Sequence, residues 1–470
     1  MRLVGNTFNV MNQAEVGLIH QGVLRILAEM GMEVQNESLL QACAEAGFSV
    51  DFDAQRVRFP VQVVEKFIAE TSKFDWENAV PKVEAKAGVY SSLFHDPETG
   101  ELVPWDESRL AFYFALAQSL PHIGKAMMLG SRLPVPAPLE SLYERYHSWK
   151  YGGAEFGSSW GEDICPYLYD LYQVWAGFHH KPIQEVFKVV VHLAPAMKLG
   201  RPEALQVEYF RQRGLRVVIE DLVAMGASAP VTLAGAVTLN LAEQFAIGLL
   251  NWALFGEKHL HIGGSISPLD MRTTLHAYGR PETAAVNLMN VQIARFYGVT
   301  YSGHGGLTNA KLPSAEAGYQ KALTGMPILF AGGNFYMDAG LLSCDEICSP
   351  AQLTIDNEFL GTLTYLSKEF QVTPETLGLD VILAAGPGGT FITQKHTARH
   401  FRAESWQPTV WSRYMLQPWI SRGSLLDSDL ARQSAMELMK KDLETFITED
   451  CEKGMLGVID AAQKKLVDGL

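Results

Sequence analysis

The stretch Gly303-His304-Gly305-Gly306-Leu307-Thr308-Asn309-Ala310-Lys311-Leu312-Pro313 gathers the groups best able to do chemistry in this chain. It follows a short apolar run, Val299 to Tyr301, and precedes a helical pattern from Ser314. Its glycines let backbone approach a ligand closely. His304 supplies an acid–base group, Asn309 an amide and Lys311 a cation, all where a strand hands over to a helix. In parallel α/β architectures that handover is where active sites assemble. His304, Asn309 and Lys311 are therefore the catalytic candidates. Each could instead hold a ligand carboxylate.

Other apolar runs end in a similar way. Trp160, Glu162 and Asp163 follow one, His192 ends another, and Glu220 and Asp221 end a third. His261 lies within a further run, with Ser265 and Ser267 after it; Asn334, Phe335, Tyr336 and Asp338 follow the last. Aromatic faces mixed with a few carboxylates suit a quaternary ammonium ligand. Such a cation has no N–H to donate, so recognition falls to cation–π contacts and general electrostatics. Trp160, Glu220, Tyr301, Phe335 and Tyr336 are the substrate-binding candidates. Each residue has a plainer reading: His261 as a core residue, Asp163 and Asp221 as helix caps, Lys311 as a solvated loop charge, Trp160 as packing. Convergence of the strand ends on one face is what favours function.

Several motifs carry less. Cys344 and Cys348 are four apart but lack a second ligand pair, so no metal site is expected. Gly386-Pro387-Gly388-Gly389 lacks the Lys-Ser/Thr of a phosphate loop and reads as a helix stop and turn. Ser131 and Ser158 lack a nucleophile-elbow context.

These residues sit in a chain of 470 residues, 47% hydrophobic and 19% charged, enough for a large core and more than one structural unit. The formal net charge of -14 argues against nucleic acid and anionic membrane as partners. The five cysteines are sparse, odd in number and not closely paired, as in a reducing compartment. Met1 to Val10 lacks the apolar core of an export signal, and the Leu241–Phe255 run is interrupted by Glu243 and Gln244. A cytoplasmic protein without a membrane span is expected.

The elements that must position these groups follow from periodicity. Residues 1–115 read as an α-rich unit: Ile19, Val23, Ile26, Leu27 and Met30 recur at helical spacing, and Gly31 ends that helix. Asp96-Pro97-Glu98-Thr99-Gly100 reads as a turn joining two short strands. From about 116 to 402, seven apolar runs each precede a helical pattern: Ala126–Gly130, Glu155–Ser159, Val186–Leu193, Arg216–Glu220, His259–Gly263, Val299–Ser302 and Ile328–Ala331. That alternation predicts an α/β fold, a (β/α)8 TIM barrel, with the eighth strand in 336–346, in 376–392 or in the N-terminal part. Residues 403–470 read as a C-terminal helical extension, packed on the barrel or on a neighbouring subunit.

Taken together, several stretches resemble the trimethylamine–corrinoid methyltransferase family. They are His20 with Gly31-Met32-Glu33-Val34, Ala46-Gly47, Arg56-Val57-Arg58-Phe59-Pro60, Asp96 with Thr99-Gly100, Ala229-Pro230-Val231-Thr232-Leu233-Ala234-Gly235-Ala236, Asn309-Ala310-Lys311-Leu312-Pro313 with Ala317-Gly318-Tyr319-Gln320-Lys321, and Gly386-Pro387-Gly388-Gly389 with His396-Thr397 and His400. The resemblance implies a (β/α) barrel that moves a methyl group from an amine to the Co(I) corrinoid (cobalamin) of a separate protein. The best-known members carry pyrrolysine; this chain has standard residues throughout. A quaternary ammonium leaves as a neutral tertiary amine without further activation, so displacement needs positioning more than acid–base help. The resemblance thus points to the non-pyrrolysine branch: glycine betaine or a related quaternary amine as methyl donor, a cognate corrinoid protein as partner, and a homo-oligomer. Alternatives are a non-catalytic quaternary-amine-binding protein, or a family enzyme for proline betaine, carnitine, choline or a tertiary methylamine.

Overall fold

The structure, a computed structural model, describes residues 9–89, 93–128, 134–194, 196–264, 266–368, 370–438, 440 and 443–469. Ser131 and Ser265 lie outside the described residues. Eight strands carry the site: β1 (Val83–Val89), β2 (Ala126–Met128), β3 (Gly157–Ser158), β4 (Val189–His192), β5 (Val218–Glu220), β6 (His261–Gly263), β7 (Thr300–His304) and β8 (Asn334–Ala339). A long helix follows each, from Glu107–Ser119 after β1 to Pro350–Ser367 after β8. The strand order β6-β7-β8-β1-β2 makes one sheet and β3-β4-β5 another, every ladder parallel. Beyond β5 and β6, the short strands Val223–Met225 and Ile266–Pro268 pair in parallel. The fold is mixed α/β with parallel sheets, as the alternation predicts.

β1 is the strand that the seven runs leave unplaced, and it lies in the N-terminal part, one of the three places open to it. It lies inside the expected N-terminal unit, yet pairs with β8 on one side and β2 on the other. Its sequence Val83-Glu84-Ala85-Lys86-Ala87 alternates in polarity, which reads as a half-solvated ribbon. Here Lys86 lines a cavity and Glu84 is exposed, while Ala85 and Ala87 are buried on the other side. The run Ile328–Ala331 is not a strand. It ends the helix Ala315–Phe330, and Gly332 (φ 88°) and Gly333 turn the chain into β8. Residues 376–392 hold a short helix, Leu379–Ala385, stopped by Gly386 at φ 66°.

Before β1, the helix Gln13–Arg25 opens with a capping box between Asn12 and Glu15. It ends through a π-type turn at Gly31, whose φ of 66° excludes a Cβ that would meet the Val57 carbonyl oxygen at 2.2 Å. Leu93–His95 and Leu102–Pro104 pair across the turn at Asp96, whose Oδ1 accepts from the Glu98 and Thr99 N–H groups. The helix Leu233–Phe255 is long and apolar enough to cross a membrane, with hydropathy 1.4. It is 72% buried over that window and packs between Gln13–Arg25, Glu37–Glu45 and the strands. At the C-terminus, Asp427–Leu438 packs on Pro350–Ser367, and Glu449–Leu466 on Cys165–His179 through Cys451, Met455, Ile459 and Ala462.

Candidate functional site

A cavity of about 470 Å³ lies inside the parallel strands. Alternate residues of a strand face opposite sides, so the inward set is Lys86 on β1, His192 on β4, Glu220 on β5, Ser302 and His304 on β7, and Tyr336 and Asp338 on β8. The register places His304 beside Tyr336, and Asp338 beside Lys86. His304 Nε2 lies 3.2 Å from Asp338 Oδ2. Tyr336 Oη donates to Asp338 Oδ1 at 2.5 Å, and the His304 and Tyr336 rings are 5.7 Å apart. Asp338 is thus engaged at both oxygens while only 4% exposed.

The charges around His304 decide its protonation. Burial opposes the imidazolium, but Asp338, Asp345 and Glu220 outweigh it and raise the pKa above the ordinary value. Glu220 opens onto the cavity yet is enclosed by protein. Burial raises its carboxyl, His192 opposes that and Asp338 adds to it. Lys86 is lowered by burial, with Asp338 and Glu84 pulling the other way. Its Nζ lies 5.4 Å from the Phe156 ring centroid and 5.8 Å from that of Tyr336. The cavity is therefore carboxylate-rich, aromatic-walled, and carries one lysine at its wall.

Trp160 sits at the rim, 52% exposed, with its ring 6.4 Å from that of His192 and inclined by 24°. The short β3 before it is held from beneath. Arg145 donates to the carbonyls of Gly157 and Ser158 at 2.7 and 2.8 Å, and Glu144 accepts from the Ser158 N–H at 3.0 Å. The end of β8 is held similarly. Asp356 Oδ2 accepts from the Gly340 N–H at 2.7 Å and meets Lys321 Nζ at 2.9 Å in a buried pair.

The sequence-derived candidates divide. The cavity brings together His304, Glu220 and Tyr336, with Trp160 at its rim. Tyr301 and Phe335 are the corrections: they occupy the odd positions of β7 and β8 and face the helices, 1% and 0% exposed. The Tyr301 hydroxyl donates to Asn287, and the Phe335 ring packs on Phe359. Asn309 is a staple: its Oδ1 accepts from the Gly279 N–H at 3.0 Å and its Nδ2 donates to the His276 carbonyl at 2.8 Å. Lys311 is exposed and donates to the Asn309 carbonyl. Glu162 and Asp163 are exposed beyond the rim, and His261 lines the deeper cavity, lowered by burial to about 4.

Of three further residues here, Asp338 is named in the sequence at a strand end without a role, and Lys86 and Asp345 carry weaker signals. Asp338 follows Tyr336 by two, the spacing that puts both on one strand face. Lys86 is betrayed only by the alternation of β1. Asp345 comes from a turn in which Ser343, Cys344 and Asp345 all have left-handed φ, 54°, 55° and 69°. Such residues cost roughly 1–3 kcal/mol each. The Ser343 N–H donates to the Ala310 carbonyl at 2.8 Å, and the Cys344 N–H to the Thr308 carbonyl at 3.0 Å. So the Gly303–Pro313 segment anchors the turn that brings Asp345 towards His304. Burial raises the Asp345 carboxyl to about 6, against the pull of His304.

Among the described residues, no cluster of three or more His, Cys, Asp or Glu could hold a metal ion. The arrangement can attract a small cation, present aromatic faces to it and meet an attached anion with Lys86.

The family model described as trimethylamine methyltransferase (MTTB) matches residues 2–100 and 156–466. A glycine betaine methyltransferase of Desulfitobacterium hafniense (strain Y51) is 28% identical over 432 residues, covering 88% of each chain. A trimethylamine methyltransferase, MttB, of Methanosarcina barkeri (strain Fusaro) is 24% identical over 494 residues, covering 98% of this chain and 97% of its own. The crystal structure of the Methanosarcina barkeri monomethylamine methyltransferase overlays with a TM-score of 0.46 at 12% identity, covering 97% of this chain and 92% of that one.

Proposed function

The chain belongs to the trimethylamine methyltransferase family, and on that premise we propose that it transfers a methyl group from a quaternary amine, glycine betaine or a close relative, to the Co(I) corrinoid of a partner protein. The similarity to a glycine betaine methyltransferase supports this reading. The observation that carries it is the pairing of Asp338 with His304 and Tyr336 in a carboxylate-rich, aromatic-walled cavity.

We read the eight strands as a closed (β/α)8 barrel. The β8–β1 ladder joins the last strand to the first. A bond from the Ala154 N–H to the Ala126 carbonyl, 2.8 Å, bridges β2 and β3. The Val223–Met225 and Ile266–Pro268 ladder bridges β5 and β6. On this reading the barrel unit runs from Val83 to Ser367 rather than from 116 to 402. Its mouth lies at the strand C-terminal ends, with Trp160 on the rim. Five free cysteines suit the cytoplasm.

A cavity of about 470 Å³ fits a small amine and not a corrinoid macrocycle, so the corrinoid stays on its own protein and meets the chain at the mouth. When docked there it supplies the Co(I) nucleophile. The residues of this chain bind and orient the donor. Tyr336, Phe156 and Trp160 offer ring faces to the trimethylammonium, and Glu220, Asp338 and Asp345 set a negative field around it. Lys86 meets the betaine carboxylate, in place of the expected Asn309 and Lys311. Because the amine departs neutral, no residue need deliver a proton. His304, fixed by Asp338, shapes the cavity and aims one methyl at the mouth.

Titration calorimetry tests the assignment: glycine betaine should bind saturably to the isolated protein, and trimethylamine far more weakly. Binding of trimethylamine with no heat from any quaternary amine would overturn it.

A further inference from the structure

The cavity does not end at His304 and Asp338. It runs on along β5 to Arg216 and reaches His259, just before β6. Arg216 and Glu220 both line it and stand four residues apart, about 13 Å of extended chain. In a (β/α)8 barrel side chains normally fill that depth. Here Arg216, Val218, His259 and His261 are all exposed, Val218 at 39%.

The space has a structural origin. Among the described residues, no ladder joins Val218–Glu220 to His261–Gly263; the wall is joined beyond them, by Val223–Met225 with Ile266–Pro268. The edge of β6 is met by a helix side chain instead. Gln244 Nε2 donates to the Gly263 carbonyl at 3.3 Å, and Gln244 Oε1 accepts from the Gly263 N–H at 3.4 Å. Both backbone groups are thus satisfied without a neighbouring strand. Through the gap, Gln244 and Ile247 of the helix Leu233–Phe255 line the cavity. At the outer end Arg216 pairs with Glu257, and His259 Nδ1 lies 2.8 Å from Ser72 Oγ. The Arg216 and Glu257 side chains are 43% and 44% exposed, and exposed pairs of this kind hold weakly.

We propose, on the methyl-transfer reading, that this gap is a second opening of the cavity, through which the demethylated amine leaves while the corrinoid protein covers the mouth. Charge sets the direction. In the transfer the C–N electron pair stays on nitrogen, and the electron pair of Co(I) makes the new bond to carbon. A betaine enters as a zwitterion and leaves with a neutral nitrogen and an uncompensated carboxylate. Glu220, Asp338 and Asp345, which attract the cation, then repel the product. Lys86 stands beside Asp338, and Arg216 stands at the gap. The departing anion passes from the first cation to the second.

Turnover of glycine betaine with the cognate corrinoid protein and with free cob(I)alamin, which leaves the mouth uncovered, tests this. Arg216→Trp should plug the gap and lower turnover with the corrinoid protein about tenfold, as product release becomes limiting, with turnover on free cob(I)alamin unchanged. No loss with either acceptor, or an equal loss with both, overturns the proposal. Should Arg216→Trp fail to fold, Arg216→Glu, which leaves the gap open and repels the carboxylate, should show the same split, and an equal effect on both acceptors overturns it. A readout without turnover separates the passage from the reaction. Val218→Cys, midway along, should be alkylated by iodoacetamide above the wild-type background, and adding Arg216→Trp should slow that reaction severalfold. A rate that the plug does not change overturns the passage. Slowed alkylation with no methyl transfer from any amine supports the opening and overturns the transfer reading instead.

Discussion

His304 and Asp338 stand on adjacent parallel strands with Nε2 3.2 Å from Oδ2, and Tyr336 binds the other carboxylate oxygen of Asp338. The pair raises the His304 pKa despite burial. A raised folded-state pKa contributes stability that is fully present below the ordinary histidine value and is lost as pH rises through the folded value. Asp338→Asn should therefore lower the melting temperature more near pH 6 than near pH 9, and should cost on the order of 10²-fold in kcat/KM through lost positioning. A stability deficit that does not change with pH contradicts the pairing.

Lys86 would distinguish a substrate that carries a carboxylate from one that does not. Lys86→Met should weaken glycine betaine by roughly tenfold or more, the loss of one charge-assisted contact, while choline, which has no carboxylate, changes little. Inhibition constants for the two compounds against wild type and variant measure this. An equal loss for both removes the carboxylate role.

Trp160, half exposed at the rim, should act on substrate and not on folding. Trp160→Ala is expected to raise KM for the quaternary amine about tenfold, in line with ~1–2 kcal/mol of cation–π attraction, at an unchanged melting temperature. An unchanged KM sinks the aromatic rim.

Lys321 and Asp356 form the buried pair beneath the end of β8. Lys321→Met leaves the carboxylate with only neutral donors, Gly340 N–H and Gln352. Breaking such a pair costs about 3–5 kcal/mol, readable by urea denaturation. A variant as stable as wild type shows that the pair does not hold β8.

How far the sequence could be read depended on what each side chain faced. His304, Glu220, Tyr336 and Trp160 were legible because apolar runs ended in polar groups, and parallel strands bring such ends together. Tyr301 and Phe335 misled because residue type alone does not say which face of a strand a side chain takes. One position decides between the cavity and the helix layer. β1 could be placed only as one of three alternatives, for the converse reason. Its Glu84 and Lys86 look solvated in sequence; Glu84 is exposed, but Lys86 faces the cavity. Asp345 depends on a strained turn docked on Thr308 and Ala310, a tertiary contact with no local signature. Asn309 and Lys311 lie in the same segment as His304, but their bonds go to backbone.

The central claim is methyl transfer from a quaternary amine to Co(I). The most direct measurement mixes the purified protein with reduced cobalamin and glycine betaine, choline or trimethylamine in turn, and follows methylcobalamin formation by absorbance. Methylcobalamin is expected with glycine betaine, and little with trimethylamine. Methylcobalamin from trimethylamine alone would contradict it.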